Sequence, residues 1–337
     1  MKLPLVSVCT ITYNHAPYIK DCIEGVLMQK TDFDIEFIIH DDASTDGTKE
    51  IAQQYAEKYP DLITPIYQEE NQYSKGIKPM QNFVFPRAKG KYIALCEGDD
   101  YWTDPFKLQK QVDFLEANPE YGLVHTDVDI HYIKKRRKVL GHHKKAFRNE
   151  QLSGDMYDIL LCSSKTLITT CTVCFRKHLI DDINLSQFSR YTLGDGPTWL
   201  HIASKSLIGY IPDVTAVHNR LPYSATSGRS FEDSLKHIRT GEMIVKDFNK
   251  IRPITLKPLC EIEQKFLIMK LNLCFNHRPK GNYHRELYKK IDSKNRTPTT
   301  KIKYMLISLR VNRLISKVLL LIVRLYENIV YKPKLHS

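Results

Sequence analysis

Three carboxylates fall close together in Cys96-Glu97-Gly98-Asp99-Asp100-Tyr101-Trp102, directly after the apolar run Lys91-Tyr92-Ile93-Ala94-Leu95. Neighbouring carboxylates repel one another, so such crowding gives a fold nothing unless a cation joins it. Mg²⁺ and Mn²⁺ are hard ions that prefer oxygen ligands and commonly share one or two carboxylates with phosphate oxygens. The chemistry to expect from Glu97, Asp99 and Asp100 is the holding of a divalent ion against a phosphate-bearing substrate.

Hydrophobic periodicity shows what must position these acids. It predicts strands over residues 5–11, 35–40, 62–67, 91–96 and 121–130, and helices over 17–29, 48–59, 79–89 and 107–117. Strands alternating with helices of this length imply βαβ units on a mostly parallel sheet, an α/β class with Rossmann-like character. Ligands of such sheets bind beyond the carboxyl ends of the strands. Three polar loops share that rim: Thr12-Tyr13-Asn14, Asp41-Asp42 and Glu97 to Asp100. Further on, the pattern predicts a strand over 166–175, a helix opening at Gly194-Asp195, short strands over 207–211 and 214–217, and helices over 233–249 and 260–276. The expected division is a sheet domain over 1–229, a helical extension over 230–300 and a tail over 301–337.

The chain has 337 residues and a formal net charge of +12, unevenly distributed. Residues 134–148 hold eight Lys and Arg and no acid, in what reads as a hairpin tip or exposed loop. Residues 294–337 hold ten basic residues and one acid, Glu327, which leaves the rest of the chain mildly acidic. In the tail Lys303, Arg310, Lys317 and Arg324 recur every seven residues, beside an apolar sector that includes Leu306, Leu314, Leu321 and Ile329. That is a basic amphipathic helix suited to an anionic membrane surface; the alternative is docking on the protein's own core. No segment offers the ~18 uncharged apolar residues of a spanning helix, and no secretory leader is expected. The eight cysteines show no disulfide framework, and Cys171-Thr-Val-Cys174 reads as a reduced structural pair, in keeping with a cytoplasmic protein.

The chain resembles the family-two glycosyltransferases, whose fold is called GT-A, and among them the bacterial enzymes of surface polysaccharides. The resemblance rests on Val6-Ser-Val-Cys-Thr-Ile-Thr-Tyr-Asn14, Asp41-Asp-Ala-Ser-Thr-Asp-Gly-Thr48, Lys89-Gly-Lys-Tyr-Ile-Ala94, Glu97-Gly-Asp-Asp-Tyr-Trp102 and Thr103-Asp-Pro-Phe-Lys-Leu-Gln-Lys-Gln111, and continues to Gly194-Asp195. It implies a nucleotide-sugar donor, usually UDP-linked, with Mn²⁺ or Mg²⁺, and transfer with inversion. Thr10, Ile11, Thr12 and Tyr13 would line the nucleotide pocket, and Asp41 would accept a hydrogen bond from the base. For Asp42 the competing role is capping the next helix; Ser44 and Asp46 are turn and cap residues. Asp99 matches the metal-binding acid, with Glu97 and Asp100 supporting it or touching the sugar. Asp195 matches the general base that takes the acceptor proton, although an acid at a helix start is also an ordinary N-cap. His218 falls where many relatives have Tyr-Arg-x-His and would reach the metal or diphosphate, although Thr215 and Ala216 replace the Tyr and Arg. Asn82 is placed at the donor by an Arg-Asn pair that here reads Gln81-Asn82, so Lys75 or Lys78 would have to supply the missing cation.

These readings imply a hexosyltransferase peripheral on the inner face of the cytoplasmic membrane, with a glycan or lipid-linked sugar as acceptor. A nucleotidyltransferase would need a Gly-rich basic loop after the first strand, and Tyr13-Asn14-His15-Ala16 is not one. A nucleic-acid-binding protein would use the basic runs, but no recognition motif accompanies them, so no nucleic-acid partner is expected.

Overall fold

The structure, a computed structural model, describes residues 3–148, 150–163, 166–183, 188–192, 194–222, 230–279, 281–309, 316 and 318–321. The chain divides into two compact units, residues 1–227 and 228–337.

The first unit is built on a sheet of nine strands among the described residues: β1 (Val6–Thr12), β2 (Ile35–Asp41), β3 (Ile63–Tyr67), β4 (Tyr92–Leu95), β5 (Tyr101–Trp102), β6 (Tyr121–Tyr132), β7 (Arg137–Val139), β8 (Cys174–Arg176) and β9 (Leu207–Arg220). Their order is β3-β2-β1-β4-β8-β6-β9-β5, with β7 on β6. The half that carries β1 to β4 is parallel. In the other half β8 runs antiparallel to both β4 and β6, whereas β6 and β9 are parallel. Helices α1 (Ile19–Leu27), α2 (Thr48–Lys58), α3 (Lys107–Ala117), α4 (His142–Ala146), α5 (Tyr157–Cys162) and α6 (Asp195–Ala203) accompany it. The apolar 3.6-residue stripe of α1 (Ile19, Cys22, Ile23, Val26) is buried with Val6, Val8, Phe37 and Ile39 of the strands. Gly25 lets α1 lie on β5, because a Cβ there would stand 2.9 Å from the Trp102 nitrogen.

Three local expectations change. The span 79–89 forms a π turn, Met80–Val84, followed by a 3₁₀ turn at Phe85–Arg87, where Pro86 cannot donate to a regular helix. The strand expected over 166–175 survives only as β8. Before it Thr172 bonds back to the Thr169 carbonyl through both its amide (3.0 Å) and its hydroxyl (2.7 Å), which favours a turn. Residues 207–220 form one strand, not two; register shifts opposite Thr126 and Asp127 absorb Pro212-Asp213.

The second unit contains α7 (Phe231–Ile251), α8 (Leu259–His277), α9 (Tyr283–Lys290) and α10 (Pro298–Ser308). Leu271, Phe275, Leu287, Ile291, Leu306 and Ile307 share one core, and Lys303 donates to Asn272 at 2.6 Å. The first cation of the tail's seven-residue repeat is thus bonded within this unit. Arg310, Lys317 and Arg324 lie outside the described residues. No helix among the described residues is long and apolar enough to cross a membrane. All eight cysteines are free.

Candidate functional site

The acids are delivered by strand pairing that continues past the end of β4. Cys96 and Gly98 donate to the carbonyls of Cys9 (3.2 Å) and Ile11 (3.0 Å), which presses the loop 97–100 onto the end of β1. Glycine is required at 98: a Cβ would stand 2.5 Å from Thr12 Oγ1 and 3.1 Å from His15 Nδ1. Across β1, Thr12 lies opposite Asp41 and its carbonyl accepts from the Asp42 amide at 3.0 Å. The three rim loops therefore meet in space.

Asp99 and Asp100 have different surroundings. Asp100 is 1% exposed; it accepts from His218 Nδ1 (2.9 Å) and from the Asn219 amide (2.8 Å), so it ties the acid loop to β9. Asn219 Nδ2 donates to the Asp99 carbonyl at 2.7 Å and completes that tie. Among the described residues the Asp99 carboxylate has no side-chain hydrogen bond, and His15 Nε2 stands 4.0 Å from it. Burial, reinforced by the Asp100 charge and opposed by His218, pushes Asp99 up to about 7. Glu97 is held well above the ordinary carboxylate range by burial and by the charges of Asp100, Asp99 and Asp195. Burial alone would lower His218, but the Asp100 carboxylate against it raises it.

This arrangement fits a hard divalent ion. A cluster of acids that raise one another's proton affinity is relieved by a cation. Asp100 orients the His218 ring through Nδ1, as supporting carboxylates do for ligand histidines, and leaves Nε2 available. Asp99 and His218 are the residues that would hold the ion. Asp100, Cys171 and His218 also place ligand atoms within 4.8 Å of one another. The Cys171 thiol, however, is kept protonated by burial and by the Asp100 and Glu97 charges, and a neutral thiol suits a hard cation poorly.

At the other loops, Asp41 is fully buried; its Oδ1 accepts from the Ser44 amide (3.0 Å) and its Oδ2 has no partner among the described residues. An orphaned buried carboxylate oxygen costs free energy until a donor reaches it. Asp42 does not cap α2. It accepts from the amides of Gln72 (2.8 Å) and Tyr73 (3.0 Å) and fixes the following loop. Asp46 caps α2 through Thr48 (3.1 Å to its amide), and Ser44 accepts from the Asn14 amide. Ala43 and Asn14 hold positive φ (64° and 55°), a strain that recurs at binding rims.

Two residues expected at the donor pocket bond within the protein instead. The Thr10 side chain lies on the same face of β1 as Thr12 but two residues deeper in the strand, where it points into the core and donates to the Cys96 carbonyl at 2.6 Å. Asn82 is exposed and donates to the Lys78 carbonyl, whereas the π turn brings Gln81 inward, its Nε2 3.6 Å from where a Cβ on Gly194 would lie. Thr12 is buried with an unpartnered Oγ1, Ile11 is half-buried and Tyr13 is exposed. Lys75 pairs with Glu70, while Lys78 donates to the Thr192 carbonyl at 3.1 Å, near Asp195.

Asp195 is the first helical residue of α6, and the N-cap is Gly194. Its Oδ1 accepts from the Gly196 amide (2.8 Å) and its Oδ2 from Thr170 Oγ1 (3.4 Å). His15 escaped the sequence reading. Its amide bonds Thr48 Oγ1 at 2.8 Å, its Nδ1 is buried without a partner, and its ring faces Asp99. The signal was its place in the rim loop directly after β1. Trp102 is a packing residue, with Nε1 bonded to the Cys171 carbonyl at 2.8 Å.

An uncharacterised protein of Mycobacterium tuberculosis, Rv1520, is 47% identical over 115 residues, which are 34% of this chain and 32% of that one. The chain thus spans about a third of the length of the first curated relatives it matches. WfaP of Escherichia coli, the UDP-Glc:α-D-GlcNAc-diphosphoundecaprenol β-1,3-glucosyltransferase, is 25% identical over 283 residues, 83% of this chain and all of that one. The mannosyltransferase PcManGT of Pyrobaculum calidifontis, solved with GDP-Man and Mn²⁺, superposes with a TM-score of 0.54 at 18% identity, over 92% of this chain and 87% of that one, so the fold is GT-A. The profile described as "Glycosyl transferase family 2" matches residues 7–183, more than half of the 337. The chain belongs to glycosyl transferase family 2.

Proposed function

We propose that this chain is an inverting, divalent-metal-dependent glycosyltransferase that moves a sugar from a UDP-sugar to a hydroxyl of a glycan or lipid-linked acceptor in surface polysaccharide synthesis. The observation that carries the reading is the meeting of Glu97, Asp99, Asp100 and Asp195 at the rim shared by β1, β4 and β9. The Mn²⁺ bound to PcManGT and the UDP-sugar named for WfaP support the same assignment. Bound at Asp99 and His218, Mn²⁺ or Mg²⁺ would neutralise charge on the departing diphosphate. Asp41 offers its free Oδ2 to the base. Asp100 holds the His218 ring in place. Asp195 takes the acceptor proton, its carboxylate oriented by Thr170 and the Gly196 amide. Glu97, which shares charge with both Asp99 and Asp195, borders the donor sugar.

The acceptor named for WfaP is joined to a lipid diphosphate, which supports a lipid-linked acceptor here and work at the inner face of the cytoplasmic membrane. Leu309, Val318, Leu319 and Leu321 are exposed apolar residues of the tail, in keeping with contact with that surface. The test is a nucleotide-sugar panel read by thermal shift with Mn²⁺, since a ligand that binds only the folded state raises its stability. One UDP-sugar should stand out and be slowly hydrolysed without acceptor. Asp99→Ala should abolish both effects. Asp195→Ala should keep the shift and lose transfer. Equal turnover in EDTA would remove the metal role, and no response to any nucleotide would remove the function.

A further inference from the structure

The eight Lys and Arg of residues 134–148 take no part in the chemistry above, yet the fold puts them beside it. β6 and β9 pair with Ile130 opposite His218 and Tyr132 opposite Arg220. β7 folds back on β6 with Val139 opposite Ile130 and Lys138 opposite His131. Two strand spacings, ~10 Å, therefore separate His218 from Val139. The first residue of α4, His142, lies within electrostatic reach of Arg220 and His218.

This arm is held by its backbone. Asp127 accepts from the amides of His143 (2.7 Å) and Lys144 (3.2 Å), and Asp129 from Gly141 (2.8 Å). The buried His143 ring bridges the Thr126 carbonyl (3.2 Å) and Thr169 Oγ1 (3.1 Å). The acids of β6 are thus bonded to peptide groups, not to the basic side chains. All eight cations are exposed, and none forms an ion pair among the described residues. Like charges at this density repel one another and raise a positive potential that attracts anions. A fixed backbone keeps them concentrated on one edge of the site.

Position decides which anion. Asp41 on β2 lies to one side of the acid loop that follows β4, and β6 with its arm lies to the other. A nucleotide diphosphate reaching from Asp41 to Asp99 occupies the first side. The geometry points to the arm of residues 134–148 as the site for a phosphate of the acceptor: a diphosphate joining its sugar to a lipid, or a phosphodiester joining it to a preceding polymer unit. This rests on the donor reading above and adds that the acceptor is anionic.

The experiment uses the full chain saturated with UDP and Mn²⁺, so that the donor phosphate site is filled. It is titrated with farnesyl diphosphate, with farnesol and with a glycerol-phosphate oligomer. The variant is Lys134→Gln/Lys135→Gln/Lys144→Gln/Lys145→Gln. Wild type should bind one of the two phosphate probes and not farnesol, and the probe that binds identifies the source of the phosphate. The variant should bind that probe roughly tenfold or more weakly, with its melting temperature and UDP affinity unchanged. Undiminished binding by the variant overturns the inference. So does a variant that loses affinity for phosphatidylglycerol vesicles or single-stranded DNA while keeping it for both phosphate probes. Failure of the wild type to bind UDP sinks the donor reading together with this one, whereas UDP binding without an arm effect sinks this one alone.

Discussion

Removing the Asp99 charge should stabilise the metal-free protein and abolish its response to Mn²⁺ and UDP. Burial and the neighbouring Asp100 carry the Asp99 carboxyl from 3.8 to about 7, and its side chain is only 18% exposed. A carboxyl whose native pKa lies above its unfolded value holds protons more tightly when folded. Its ionisation therefore weakens the fold progressively as pH rises from 3.8 to about 7, and in full above that. Three units at ~1.36 kcal/mol each set a ceiling of about 4 kcal/mol. Part of that belongs to the Asp99–Asp100 pair as a whole, so Asp99→Asn, which keeps the volume, should gain ~1–3 kcal/mol at pH 8. At about 2–4 °C per kcal/mol for a domain of this size, the melting temperature in EDTA should rise by ~2–12 °C. At pH 5 more than half of the gain should vanish, because only about a third of the window from 3.8 to about 7 has been crossed. Adding Mn²⁺ and UDP should then raise the wild type and leave the variant where it was. Scanning calorimetry at both pH values, with and without the ligands, decides the matter. A variant whose gain over wild type is no larger at pH 8 than at pH 5, or one raised by Mn²⁺ and UDP as much as the wild type, refutes the reasoning.

Asp195→Asn should lower transfer by ~10²–10⁴-fold, the usual contribution of a positioned base, while UDP-sugar affinity by calorimetry stays unchanged. Asp41→Asn removes the buried oxygen that lacks a partner; UDP affinity should fall by about tenfold, as for a lost charge-assisted hydrogen bond, with thermal stability equal or higher. Gly98→Ala forces a methyl to within 2.5 Å of Thr12 Oγ1 and should destabilise by ~1–3 kcal/mol in denaturant unfolding, with weaker UDP binding. Because Asp99 is pushed up to about 7 and His218 is raised, protons compete with the metal. Mn²⁺ affinity measured by titration should therefore fall as pH drops below about 7, with proton release on binding.

The parallel half of the sheet was legible in the sequence because its strands are buried on both faces and read as near-continuous apolar runs, such as Tyr92 to Cys96. The rim acids were legible too, since crowded like charge at a strand end has few uses other than to hold a cation. The antiparallel half was less so. The Thr-rich run before β8 forms local hydrogen bonds that compete with a strand, and nothing local tells the chain that residues 207–220 stay extended through Pro212.

The division of labour within the site came only with the fold. Sequence placed Asp99 and Asp100 side by side as equals. The approach of β9, 118 residues later, gives Asp100 to His218 and Asn219 and leaves Asp99 free. The same holds for Thr10, which lies deep enough in β1 to bond the Cys96 carbonyl in the core, and for His15, which matters only because Gly98 lets the acid loop close on it. Residue type and spacing determined which chemistry this chain can perform, because charge and ligand hardness are properties of the side chains themselves. Which of two adjacent carboxylates is hydrogen-bonded to β9 was decided by long-range pairing, because burial and hydrogen bonding are set by residues far away in the sequence.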